Sequence, residues 1–182
     1  MMSRTILGTV VLAVVVILAT SGSSIAQRRG STTRGGAVKT PAQFQAALWD
    51  YLTKGESRYK KWGAFPGKTT DIYEGESPHG AYLRIYANSA ARSNGKNPPA
   101  GSIVVKENYG KDKKTLMAVT VMYKSKGYNA KAGDWYWIKY SPDGKTALTP
   151  KQKGSKPIAG RFQSCIQCHG DADGDDWLFV ND

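Results

Sequence analysis

Four segments of this 182-residue chain share one signature: short runs of β-branched and aromatic residues, bounded by Gly, Pro, Asn or Asp. They are GAYLRIYAN at 80–88, SIVVKENY at 102–109, TLMAVTVMYK at 115–124 and WYWIKY at 135–140. The first alternates strictly, Ala81, Leu83, Ile85 and Ala87 against Tyr82, Arg84, Tyr86 and Asn88. A period of two puts these sets on opposite faces of a sheet. Most links between the runs are too short for the crossover that joins parallel strands, so an antiparallel sheet is expected. Lys111-Asp112-Lys113-Lys114 reads as a hairpin loop and Ser141-Pro142-Asp143-Gly144 as a tight turn.

One helix precedes the sheet. Thr40 is suited to cap it, Pro41 to open its first turn, and Gln43 stands three residues after the cap. Phe44, Ala47, Leu48 and Tyr51 then recur at helical spacing until Gly55 stops the helix. Residues 27–39 lack periodicity, carry Gly, Ser and Arg, and read as a flexible linker. Residues 1–26 divide as an export signal does: Arg4, an apolar run from Ile6 to Thr20, then small residues with Ser24 and Ala26 set for cleavage after Ala26. That run is shorter than the roughly 20 residues that span a bilayer. The expected product is periplasmic or secreted, without a stable membrane span, and folds as one domain over 40–182. Its expected class is mainly β (α+β): four to five antiparallel strands, an N-terminal helix and a short C-terminal helix.

The chain has two cysteines and two histidines, and three of these four fall within Cys165-Ile166-Gln167-Cys168-His169. Two thiols three residues apart can each add to a vinyl group of a haem, and the adjacent imidazole then faces the iron. A dithiol redox motif sits early in a thioredoxin-like unit, whereas this one stands near the C-terminus. A zinc site would have Cys165, Cys168 and His79 or His169, and would need a carboxylate to finish it. A disulfide between the two cysteines would close a tiny loop and stabilise little. Covalent haem c is therefore the expected cofactor, attached at Cys165 and Cys168, with His169 as the proximal iron ligand. Export agrees, because bacterial c-type attachment takes place outside the cytoplasm.

No Met or His follows His169. Met117 and Met122, five apart on a strand, face opposite sides and read as sheet core. The sixth iron position is then open or water-filled, which favours reaction with, or binding of, a small molecule over electron relay. Four long helical patterns, as in a helical gas-binding cytochrome, are absent.

The export signal, the β-rich body containing Ser102–Tyr109, and the terminal C-x-x-C-H followed by Asp176-Trp177-Leu178-Phe179 together resemble the cytochrome P-460 family. The resemblance runs from about Gly80 to the end and more weakly over the first helix. It implies an additional covalent bond from a strand lysine, here Lys106, to the haem macrocycle. It also implies oxidation of hydroxylamine, with room for nitric oxide handling. It aligns an acidic distal residue with Asp173 and a pocket-lining aromatic with Phe179, for which apolar core is an equally adequate role. Cytochrome c-prime-beta, a related branch, shares the fold, lacks the cross-link and binds nitric oxide without turnover. An electron carrier is the third reading. By strand alternation Lys106 shares a face with Val104 and opposes Ile103 and Val105, so its stem can lie against an apolar wall. The ordinary role of a lysine in so basic a chain is a solvated one.

Asp171, Asp173, Asp175 and Asp176 follow the haem motif. Their spacing is similar to a calcium loop, but the Gly is misplaced and no Glu closes it. A solvated acidic turn or a proton relay fits better. His79 reads as a haem-propionate contact or a turn residue, Arg84 as a propionate contact, Tyr82 as core, and Trp135, Tyr136 and Trp137 as sheet packing. A formal charge of +12 would suit nucleic acid or an anionic membrane. The basic residues, however, are spread over loops such as 111–114 and 151–156 without a stacking platform, so no nucleic acid is expected. The expected partners are a small-molecule substrate and an acidic electron-acceptor protein. The sequence leaves open whether two chains pair as a homodimer through the sheet.

Overall fold

The computed structural model describes residues 39–56, 58–172 and 175–179. The export signal, almost all of the linker and Asp173 lie outside the described residues. Helix α1 (Pro41–Thr53) begins with a reciprocal cap: the Gln43 N–H donates to Thr40 Oγ1 at 3.3 Å and the Thr40 N–H donates to Gln43 Oε1 at 2.8 Å. Its buried stripe is Gln45, Leu48 and Leu52, while Tyr51 is 48% exposed. The sheet sets this rotation with polar tethers. Tyr140 Oη–H donates to the Gln45 carbonyl at 2.8 Å, and Gln45 Nε2 donates to Tyr136 Oη at 3.1 Å.

Six strands then run in order as an antiparallel meander: β1 (Tyr73–Glu74), β2 (Tyr82–Ala87), β3 (Ile103–Tyr109), β4 (Leu116–Lys124), β5 (Trp135–Tyr140) and β6 (Ala159–Gly160). The inner four are the runs read from the sequence. The outer two are two residues each, too short to carry a period, and they widen the sheet to six. Helix α2 (Ser89–Ser93) follows β2, and helix α3 (Gln163–Gly170) follows β6. No helix among the described residues is long and apolar enough to cross a membrane.

Register divides the sheet into two faces. Tyr86, Val105, Val121 and Ile138 form one cross-strand row, which packs with Leu48, Leu52 and Tyr59 beneath α1. Ile85, Lys106, Thr120 and Lys139 form the neighbouring row on one side, and Ala87, Val104, Met122 and Trp137 the neighbouring row on the other. These two rows face the other way, toward Cys165, Ile166, Trp177 and Leu178. One expectation fails here. Met122 is buried in the core, but Met117 is 58% exposed. Asn108 pairs with Ala118 while Tyr109 pairs with Leu116, so Met117 is the unpaired residue of a bulge and leaves the core.

Candidate functional site

Helix α3 carries the whole Cys165–His169 motif. Helical spacing puts Cys165 and Cys168 on one face, with His169 one turn beyond Cys165. That face meets the β3–β5 surface across a cleft of about 970 Å³, counting its open mouth. Cys165, Cys168, His169, Lys106, His79 and Phe179 all line the cleft, among apolar walls that include Ile85 and Val104. Both cysteines are free thiols. Burial, with help from the neighbouring Cys168, pushes the Cys165 thiol up to about 11.

His169 is held in one tautomer. Its Nδ1 lies 2.8 Å from the Trp177 carbonyl, which can only accept, so Nδ1 carries the proton and Nε2 keeps its lone pair. Burial lowers the His169 pKa, which maintains the neutral, ligating imidazole. The carbonyl reaches the ring because Asp176 and Trp177 adopt left-handed backbone, with φ of 60° and 68°. Asp176 is fixed in turn by an ion pair with Lys124, the two side chains being 14% and 13% exposed. The Trp135 indole N–H adds a bond to the Asp176 carbonyl at 2.9 Å. Phe179 packs edge-on against the His169 ring with centroids 5.4 Å apart. The two rings are in contact with no layer between them, so Phe179 stands beside this imidazole.

His79 enters from the loop between β1 and β2. Gly80 lets that loop lie on β3: a Cβ there would meet the Tyr109 carbonyl oxygen at 2.5 Å and its nitrogen at 2.6 Å. The buried Asn108 then fixes the His79 tautomer. Its Nδ2 donates to the Lys106 carbonyl at 2.8 Å and approaches the Ala118 carbonyl at 3.3 Å, so Oδ1 is the atom turned to His79 Nδ1 at 3.0 Å. Nδ1 is therefore the donor and Nε2 holds the lone pair. Burial, reinforced by Lys106, lowers the His79 pKa to about 4. The rings of His79 and His169 stand 6.4 Å apart at 88°.

Lys106 lies on a central strand and faces the cleft, as its alternation with Val105 requires. Burial lowers its pKa, opposed in part by Cys168. Arg84 is not part of this site, which corrects the propionate role expected for it. It pairs with Glu107 in register and projects from the α1 face beside Tyr86, whereas Leu83 and Ile85 take the cleft side. Asp173 lies outside the described residues. Sequence reasoning passed over Asn108, the Trp177 carbonyl and Lys139. For Lys139 the signal was the alternation of WYWIKY, which sets it on the face of Trp137; that this face is the cleft follows only from register.

The residues fit a covalently attached haem: two free thiols on one helical face, a neutral imidazole with its Nδ1 already engaged, and an apolar slot facing both. Fold and site together define an antiparallel-sheet protein of the c-type haem class. The family model described as Cytochrome P460 matches residues 56–180, and the chain belongs to that family, whose cofactor is c-type haem iron. The match spans all six strands and α3 but begins after α1. No curated protein matches the chain.

Proposed function

We propose that the protein oxidises hydroxylamine at a haem held through thioethers to Cys165 and Cys168 and by His169 Nε2, with Lys106 bonded to the macrocycle edge. The observation that supports this best is Lys106 itself. It is a lysine on a central strand, in the same cleft as the motif, with no acceptor for its amine among the described residues and a pKa lowered by burial. A lowered pKa enlarges the free-base fraction, the nucleophilic form; replacing a ring C–H by C–N then releases two protons and two electrons, which an oxidant of the peroxide class has to accept.

When bound, the haem supplies an iron that takes up electrons from the substrate. The chain's own residues supply the rest. The Trp177 carbonyl orients His169, and Ile85, Val104 and Met122 give the cleft walls that exclude water. His79, kept neutral by burial, offers a second imidazole lone pair as a hydrogen-bond acceptor in the cleft. On the family likeness, Asp173 takes up the protons released there. Export through residues 1–26, with cleavage after Ala26, belongs to this reading, since c-type attachment in bacteria is completed outside the cytoplasm.

Nitric oxide capture without turnover is the second reading. It is favoured by a cleft with no Asp or Glu among its described lining residues. The absorption spectrum of the purified holoprotein separates the two. A red-shifted Soret band in the reduced state marks the cross-linked enzyme, and an ordinary high-spin c-type spectrum marks the gas binder. A six-coordinate low-spin spectrum would instead mark an electron carrier, with His79 as sixth ligand. Lys106→Leu should keep its haem on a denaturing gel, restore an ordinary c-type spectrum and lower hydroxylamine oxidation by about tenfold or more. Lys111→Leu, in the hairpin loop, should change neither.

A further inference from the structure

Lys139 belongs to the same cross-strand row as Lys106, with Thr120 between them. The two lysines thus share the cleft face two strands apart, about 10 Å between backbones at the usual strand spacing. Lys139 also lies where the cleft continues into a shallow annex: both hollows are lined by Pro78, His79 and Lys139. The annex adds Lys111 and the chain at Gly80 and Gly110. Neither hollow has a carboxylate among its described lining residues.

Elsewhere the lysines close to acids are paired with them: Lys54 with Asp50, Lys60 with Glu107, Lys124 with Asp176 and Lys145 with Asp143. The amine of the half-buried Lys139 makes no hydrogen bond or ion pair among the described residues, the residue's two hydrogen bonds being backbone ones to Ile158 and Ala147. A cation set against apolar wall without a counter-charge is costly unless an anion completes the site. Haem is an apolar ring bearing two carboxylates, and Arg84, the sequence's own choice for a propionate, faces the opposite side of the sheet.

We propose that Lys139 is the propionate-binding residue of this chain and that the annex beside it seats a haem carboxylate. This rests on the haem reading but not on hydroxylamine as substrate, and it holds for enzyme and gas binder alike. Lys106 is the deeper lysine at the ring, and Lys139 the shallower one that binds the carboxylate by a charge-assisted hydrogen bond.

The test uses holoprotein whose haem retention is first verified on a denaturing gel; a parent without bound haem would overturn the haem reading itself. Resonance Raman spectra then report the propionate bending band, and spectroelectrochemical titration reports the midpoint potential. Lys139→Met, which retains the alkyl stem, should lower both the band frequency and the potential, and Lys139→Arg should restore both. Lys126→Met, the same charge change at an exposed site, should alter neither. Lys139→Gln serves in place of the Met variant if that one does not mature with haem. An unmoved propionate band overturns the proposal. So does a fall in potential with the band unmoved, because that makes Lys139 a through-space charge only.

Discussion

Two histidines face one cleft, and each has its Nδ1 committed to an oxygen that can only accept. For His169 the acceptor is a backbone carbonyl, for His79 the Oδ1 of a buried asparagine. Both Nε2 lone pairs are thereby set before any ligand arrives, which is how an outer partner tunes an inner ligand. The Asn108 side chain carries more than that one contact, since it also bridges the Lys106 carbonyl, the Ala118 carbonyl and Thr120 Oγ1. Asn108→Leu should therefore cost about 1–3 kcal/mol by urea unfolding, because buried polar groups lose their partners. It should also release the His79 tautomer, seen as a changed ring-nitrogen shift by NMR. Thr120→Val should do less, because it leaves the Asn108–His79 bond in place.

Strand β3 carries the site on one face and its anchor on the other. Lys106 faces the cleft while its neighbour Glu107, with no exposed surface, accepts from Tyr59 at 2.6 Å, Tyr109 at 2.8 Å and Lys60 at 2.9 Å, and more distantly from Tyr86 at 3.4 Å. Burial alone would raise the Glu107 pKa, but the bonds from Lys60, Tyr59 and Tyr109 together bring it below the ordinary 4.5. A carboxyl with a folded pKa below its unfolded one stabilises fully above the unfolded value and loses that stabilisation as pH falls through the folded one. Glu107→Gln should thus cost roughly 1.5–3 kcal/mol at pH 7. It should also flatten the acid limb, so that parent and variant converge in urea titrations carried below the ordinary carboxylate range. Parallel acid limbs would show that Glu107 does not titrate with folding. What the sequence showed of these elements follows from range. The α1 cap and the four inner strands are local patterns, and each was legible. The face of Arg84 was legible as an alternation, but which alternation meets the cleft depends on pairing Ile85 with Lys106 across strands. The haem motif was legible because its chemistry is contiguous. Lys139 and Asn108 join it only through register.

At the scale of the whole molecule, charge is divided unevenly. The formal surplus is +12, two acids, Glu107 and Asp176, are taken up by buried or half-buried pairs, and the cleft and annex have lysines but no described acids. On the proposed oxidase reading electrons leave through this opening, and Lys111, with Lys139 committed to a propionate, gives it a positive rim. The acidic acceptor protein expected as partner would be steered by such a rim, whose charges act mainly on the encounter rate. Electron transfer from the reduced holoprotein to an acidic acceptor should slow by about tenfold or more as ionic strength rises from roughly 0.01 to 0.15 M, where the screening length shrinks from about 30 to about 8 Å. Lys111→Glu should lower the low-salt rate and make the salt dependence shallower, while Lys126→Glu should do so much less if the rim is the contact. Transfer to a small uncharged oxidant should be insensitive to salt in all three proteins. Stopped-flow measurement of both acceptors tests this. Equal salt dependence for the charged and uncharged acceptors would remove the field as the steering force and leave the basic surplus without a part in electron exit.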